Sequence, residues 1–151
     1  MAAFPTPYKW MPKNVDKYVG DVNNIWIRSS WEKKACIWLD TTDSILKWSS
    51  ETVVIPYVCP TDNRPHRYFV DFAVQYKTKM GEIKRALVEV KPHAQTIEPK
   101  AKKTQGKRYI TEVTTYVKNR AKWDAAEAWC KTNGFVFMIL DEFSLGISKR
   151  K

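Results

Sequence analysis

The chain has no stretch of about 18 consecutive apolar residues, so no segment of it reads as a membrane-spanning helix. Its N-terminus lacks the charged, then apolar, then small-residue pattern of a secretory leader, and the expected working place is the cytoplasm where the chain is made. Cysteine is scarce: Cys36, Cys59 and Cys130 are odd in number, far apart and without metal-ligand spacing, which reads as reduced thiols in or near a core. Acidic residues are in deficit. Sixteen Asp and Glu face 26 Lys and Arg, a formal net charge of +10 and an isoelectric point near 9.5. Such an excess points to a polyanionic partner, with nucleic acid the commonest, although charge alone does not choose between DNA, RNA and an anionic membrane surface.

What is present argues for a globular protein. The composition is 44% hydrophobic with seven Trp, and 151 residues suit one domain spanning 1–151 with enough chain for a core. Residues 1–20 hold Pro5, Pro7 and Pro12 among Tyr8, Trp10 and Tyr18 and are expected to form an extended arm held down by its aromatics. Ile27, Trp31, Ala35, Trp38 and Leu39 recur at helical spacing, which predicts a first helix from Ser29 to Asp40. Val53 to Val58, interrupted by Pro56, suits an edge strand or a bulge, and Cys59 to Pro65 reads as a turn-rich loop leading into the central hairpin. A second helix is expected from Tyr109 to Thr132, stopped by Asn133-Gly134. The run Phe135 to Leu140, FVFMIL, reads as a buried strand. Two basic segments flank these elements: a loop at 100–108 carrying Lys100, Lys102, Lys103, Lys107 and Arg108, and a tail at 148–151.

Chemistry concentrates between Arg67 and Lys91. Tyr68 to Tyr76 and Leu87 to Val90 are aromatic and β-branched and read as strands, with a polar connection from Lys77 to Glu82 that contains Gly81. A turn symmetric about Met80 makes cross-strand partners sum to 160, which sets Asp71 opposite Glu89. Directly opposed residues have Cβ atoms only ~4.5–5.5 Å apart. Period-two alternation then puts Asp71, Glu89 and Lys91 on one face. Two carboxylates among apolar strands are costly unless their charge is compensated. A divalent cation would do so, and oxygen donors without a nearby His or Cys pattern favour Mg²⁺ or Mn²⁺ over zinc. The same three residues also fit a structural salt bridge on a solvated sheet face.

Asp71, a gap of seventeen residues, then Glu89-Val90-Lys91 resembles the core motif of the PD-(D/E)xK nucleases, with Val70 standing where the motif has its proline. Arg28-Ser29-Ser30-Trp31-Glu32, Trp48-Ser49-Ser50-Glu51, His66-Arg67-Tyr68 and Asn119-Arg120-Ala121-Lys122-Trp123 extend the similarity over roughly residues 8–143. Together they resemble the head completion nucleases of T-even-like bacteriophages and, more distantly, the endonuclease subunit of cut-and-paste transposases. The resemblance implies an α/β fold, a mixed central sheet flanked by helices in a restriction-endonuclease-like core. It also implies Mg²⁺- or Mn²⁺-dependent hydrolysis of DNA, with endonuclease against exonuclease preference left open, and a basic surface that holds the backbone without reading bases predicts little sequence preference. In that reading Asp71, Glu89, the carbonyl of Val90 and Glu32 hold metal and Lys91 completes the catalytic set.

Glu32 also fits a capping box with Ser29, and Glu51 is its rival for the upstream catalytic carboxylate. His66 and Gln95 are candidate site neighbours, with Thr96 beside the latter. Arg28, Lys100, Lys102, Lys103, Lys107, Arg108 and Lys122 are candidate DNA contacts, and Gln105-x-x-x-Tyr109 resembles an exonuclease motif of the same superfamily. The biology implied is processing of packaged DNA ends before head–tail joining. The partners implied are DNA and phage portal or neck proteins, with no membrane, and the location is host cytoplasm or virion. Two alternatives stay open: a non-catalytic DNA- or portal-binding assembly protein that keeps the nuclease fold, and a transposition or repair endonuclease subunit.

Overall fold

The computed structural model describes residues 3–101 and 106–147. In chain order its elements are β1 (Ala3–Lys9), β2 (Trp26–Ser29), α1 (Ser30–Thr41), β3 (Ile45–Ser50), β4 (Val54–Cys59), β5 (Arg64–Phe69), β6 (Phe72–Lys77), β7 (Ile83–Val90), α2 (Lys107–Asn133) and β8 (Val136–Leu140), with single 3₁₀ turns at Val15–Lys17, Val22–Asn24 and His93–Thr96. The central sheet runs β3-β6-β7-β8. Its first two pairings are antiparallel and β7 pairs β8 in parallel. The sheet is therefore mixed, and the α/β class read from the sequence is the one observed.

The hairpin β6–β7 pairs Phe72 with Val88 and Lys77 with Ile83, so partners do sum to 160. Its apolar residues divide between two cores by alternation. Ala86, Val88 and Val90 join Trp48, Phe72 and Val74 against Ile25, Ile27 and the α1 residues Ala35, Cys36 and Leu39. Leu87 points the other way, towards Trp123, Ala126 and Cys130 of α2 and towards Ile55, Tyr68 and Val70. Each fully buried Leu or Ile of these layers contributes roughly 1.5–3 kcal/mol of transfer free energy.

The arm before β2 is bound to the body. β1 pairs antiparallel with β2, Tyr8 opposite Ile27, and the Tyr18 ring stands edge-on to Trp48 at 4.8 Å. Asp40, near the end of α1, is buried and accepts the backbone N–H groups of Lys13 at 2.9 Å and Asn14 at 3.0 Å. α2 ends where Gly134 adopts φ +74°, a left-handed conformation that costs glycine nothing sterically.

Four readings from sequence need correction. Tyr68 to Tyr76 is not one strand, because β5 ends at Phe69 and β6 begins at Phe72. At the break the Asp71 carboxylate accepts the Val90 N–H and its carbonyl accepts the Glu51 N–H, so the chain steps from one sheet to another. Cys59 to Pro65 is accordingly not a lead into the central hairpin; Pro60 to Asn63 turn a separate hairpin of β4 and β5. FVFMIL is not fully buried: among the described residues β8 pairs with β7 alone, and Val136 and Met138 are 43% and 39% exposed. An apolar run records composition, not whether both flanks are covered. Finally, Lys107 and Arg108 belong to the first turn of α2 and not to a loop. Lys102, Lys103, Gln105 and the tail at 148–151 lie outside the described residues.

Candidate active site

The break between β5 and β6 sets Asp71 at the end of the central sheet, beside the last residues of β7. Its Oδ2 accepts the Val90 N–H at 2.8 Å, which fixes the carboxylate against the strand that carries Glu89. Glu89 is buried, 5% exposed, and its Oε1 lies 3.5 Å from Lys91 Nζ. Its Oε2 accepts the Tyr68 hydroxyl across from β5. Both acids are held in unfavourable surroundings. Burial, the facing Glu89 charge and Glu32 raise the Asp71 carboxyl well above its ordinary range, against the opposing pull of the Val90 N–H and Lys91. Burial raises Glu89 as well, opposed by Lys91, the Tyr68 hydroxyl and Lys122.

Two further carboxylates approach from the start of α1 and the end of β3. Ser29 caps α1, its Oγ accepting the Glu32 N–H at 3.1 Å and donating to Glu32 Oε2 at 3.0 Å. Burial pushes the Glu32 carboxyl up, Ser29 pulls it down, and Glu51 and Glu89 add repulsion. The capping contact and an aim towards the cluster thus coexist in one residue. Glu51 has left-handed backbone, φ +58°, and its N–H donates to the Asp71 carbonyl at 3.0 Å. Its side chain is neutralised by Arg28, which reaches it from β2. Glu32 and Glu51 therefore differ: one is held by a neutral hydroxyl, the other by a guanidinium.

On the opposite flank α2 contributes Lys122. Burial lowers its ammonium pKa, and the nearby Lys91 charge lowers it further, against the pull of Glu89. Its Nζ lies 5.8 Å from the centre of the Tyr68 ring. Trp123 fills the core beneath, and Asn119 is buried one turn earlier. The cluster thus gathers four acids, Asp71, Glu89, Glu32 and Glu51, with two lysines, Lys91 and Lys122. Its donors towards an ion are carboxylate oxygens, and burial raises the pKa values of Asp71, Glu89 and Glu32. A hard divalent cation of the Mg²⁺ or Mn²⁺ type fits that donor set.

The remaining sequence candidates lie outside this knot. His66 sits on β5 with its Nε2 2.7 Å from Asp62 Oδ2, facing the hairpin turn. Gln95, in the 3₁₀ turn after Lys91, lines a groove of about 570 Å³ with Ile97, Glu98, Thr111 and Tyr116. Lys100, Lys107 and Arg108 are exposed, and Arg108 pairs with Glu112 along the helix. Two features went unread in the sequence. Tyr68 belongs to the His66-Arg67-Tyr68 motif, but its bond to Glu89 depends on the separate β4–β5 hairpin. His93, two residues past Lys91, lies 3.2 Å from Asp141 Oδ2 through Nδ1, and its N–H donates to Glu142 at 2.9 Å. These contacts tie the chain leaving β7 to the chain leaving β8.

Residues 42–142 match the family model described as TnsA-like endonuclease N terminal. Glu51, Asp71, Glu89 and Lys91 fall within the match, while Arg28 and Glu32 precede it. The chain is also 39% identical over 141 residues to the head completion nuclease of Enterobacteria phage T4, covering 91% of each chain. No solved structure matches significantly.

Proposed function

Because this chain belongs to the TnsA-like endonuclease family, we propose that it is a phage DNA nuclease that hydrolyses phosphodiester bonds at the cluster of Asp71, Glu89 and Lys91. The observation that carries the reading is the convergence of Asp71, Glu89, Glu32 and Lys91 at one end of the central sheet, with the acids raised by burial and mutual repulsion. Groups so perturbed and so close are typical of sites that act on something from outside the chain.

Asp71 and Glu89, with the Val90 carbonyl and Glu32, would hold Mg²⁺ or Mn²⁺. Bound there, such an ion would supply a lowered pKa for the attacking water and positive charge opposite the phosphate and the leaving oxygen. Lys91 sits against Glu89 and presents a compact positive charge to the same charge development, orienting the nucleophile or stabilising the transition state. Tyr68 holds Glu89 in place through its hydroxyl, and Lys122 adds a second positive charge on the α2 side. Arg28 fixes Glu51 and so leaves Glu32 as the upstream acid.

Lys122, Lys100, Lys107 and Arg108, with Lys102, Lys103 and Arg28, hold the DNA backbone. Phosphate contacts carry no sequence information, so cleavage is expected with little sequence preference. By analogy with the phage relative, the biological task is processing of packaged DNA ends, with endonuclease and exonuclease action, before the head joins the tail. The setting is host cytoplasm or virion, beside portal or neck proteins.

The test is cleavage of linear and circular DNA by wild type, Asp71→Ala and Lys91→Ala with Mg²⁺, Mn²⁺ or EDTA. Metal-dependent cutting lost in both variants supports the site, and nicking of the circle establishes endonuclease action. Salt-sensitive DNA binding without cutting by the wild type under any metal would replace this reading with that of a non-catalytic assembly protein.

A further inference from the structure

The tip of the β4–β5 hairpin brings together three donors of different kinds. A single ligand atom from each of Cys59, Asp62 and His66 lies within 4.8 Å of the others. Their spacing, Cys59-x-x-Asp62-x-x-x-His66, is that of a compact metal loop in which an Asp replaces one of the usual Cys or His residues. The backbone is shaped to hold it. Asn63 takes φ +58° and donates its N–H to the Cys59 carbonyl at 2.8 Å. The Arg64 N–H then occupies Asp62 Oδ1 at 3.0 Å, leaving Oδ2 turned to His66 Nε2 at 2.7 Å. Tyr57 lies opposite His66 in the ladder and packs on its ring at 5.8 Å, which fixes the imidazole. The Cys59 sulfur points inward, 2% exposed, with the Thr61 hydroxyl 3.0 Å away.

We propose that Cys59, Asp62 and His66 form a second metal site that binds Zn²⁺, chemically distinct from the oxygen-donor cluster at Asp71 and Glu89. A thiolate and an imidazole select zinc over Mg²⁺ or Mn²⁺, and three protein ligands leave the fourth tetrahedral position to water. The charge balances: thiolate and carboxylate together cancel a divalent cation. On binding, the thiol proton leaves for solvent, and the His66 ring proton moves from Nε2 to Nδ1 as the ion takes its place between Asp62 and His66.

The hairpin needs such a staple. Two strands alone are marginal in water, and the apolar anchorage of this pair is at its base, where Ile55 and Tyr68 pack on Trp123. Towards the tip Val58 is 60% exposed, and the ion would add to the contact that Tyr57 makes with the same apolar cluster. The base of the same hairpin supplies Tyr68 to Glu89, so the proposal also gives zinc a route to steadying the carboxylate cluster.

The experiment is zinc stoichiometry and Co²⁺ absorption on the purified full chain in excess Mg²⁺, for wild type, Asp71→Ala, Cys59→Ser and His66→Ala. Wild type and Asp71→Ala are expected to retain one zinc each. Cys59→Ser and His66→Ala should bind it at least about tenfold more weakly. Co²⁺ should give the wild type a thiolate charge-transfer band that Cys59→Ser lacks. Far-UV circular dichroism keeps the result interpretable if the buried Cys59→Ser unfolds, since exposed His66→Ala then carries the test. Absence of bound zinc in the wild type overturns the proposal. So does zinc retained equally by a folded His66→Ala, or lost together with Asp71.

Discussion

Asp40 and Asp71 are both carboxylates in the interior of this protein, and they are accommodated in opposite ways. Asp40 receives two backbone N–H groups from Lys13 and Asn14, and Lys17 closes the same corner by donating to its carbonyl at 3.0 Å. Every partner comes from the N-terminal arm, so the acid is a clasp. Asp71 has one backbone N–H and faces Glu89 and Glu32. Its neighbours add to its difficulty. A buried acid saturated by its own chain holds structure together, whereas a buried acid crowded by others is incomplete without a ligand.

That contrast is tested first at Asp71. Asp71→Asn should lower the DNA cleavage rate by about a thousandfold, the scale of losing an electrostatic stabiliser at a reacting group, while leaving the melting temperature unchanged or higher. Asp40→Ala should do the reverse, costing ~2 kcal/mol in denaturant unfolding because two N–H groups of the arm lose their acceptor, with cleavage per folded molecule near wild type. If Asp40→Ala silences the enzyme without destabilising it, the distinction between clasp and site fails.

Next in size is the pair of upstream acids. Glu32→Gln should slow cleavage ~100-fold, against less than about tenfold for Glu51→Gln, because Arg28 already neutralises Glu51; equal losses would make the two acids a single unit. The pH dependence is a smaller effect with a definite sign. Asp71, Glu89 and Glu32 have folded-state pKa values above their ordinary 3.8, 4.5 and 4.5, so the folded chain binds more protons than the unfolded one. Metal-free stability therefore falls as pH rises from the ordinary carboxylate range towards the folded values. Mg²⁺ should raise the melting temperature at pH 7.5 and much less at pH 5. Smallest is Tyr68→Phe, which removes the hydroxyl that lowers the Glu89 pKa. It should cost ~1 kcal/mol of stability and move the acid limb of the pH–rate profile upward.

Much of this site was legible because antiparallel pairing obeys arithmetic. The Met80 turn and the period of two placed Glu89 and Lys91 on a shared face without any coordinates, and the helix from Ser29 followed from its apolar spacing. What the sequence hid was change of partner. Nothing in Tyr68 to Tyr76 marks the step at Val70 and Asp71 from one sheet to another, since both sides are equally suited to strands. Tyr68 could not be assigned to Glu89 for the same reason. The hydrophobicity of FVFMIL was plain, but not that one edge of that strand would stay open. At the β4–β5 turn, Cys59 and His66 have no ligand spacing with others of their own kind, and it is the turn that sets Asp62 between them. The family match begins after Glu32, and the case for that residue over Glu51 rests on which acid Arg28 engages.

The turn around Met80 lies at the far end of the hairpin from Asp71 and Glu89, six residue pairs away, and Met80 itself is 88% exposed. The Thr78 N–H to Glu82 and Gly81 N–H to Thr78 hydrogen bonds close it locally, and none of its bonds reach the carboxylates. Chain length there is consequently free to vary. Residues added in equal number to both arms leave the two acids face to face while lengthening the interval between them in the sequence. Relatives are then recognisable by the pairing of their strands and not by a fixed gap of seventeen, and the same loop offers a place to graft a fluorophore or affinity peptide without disturbing the chemistry.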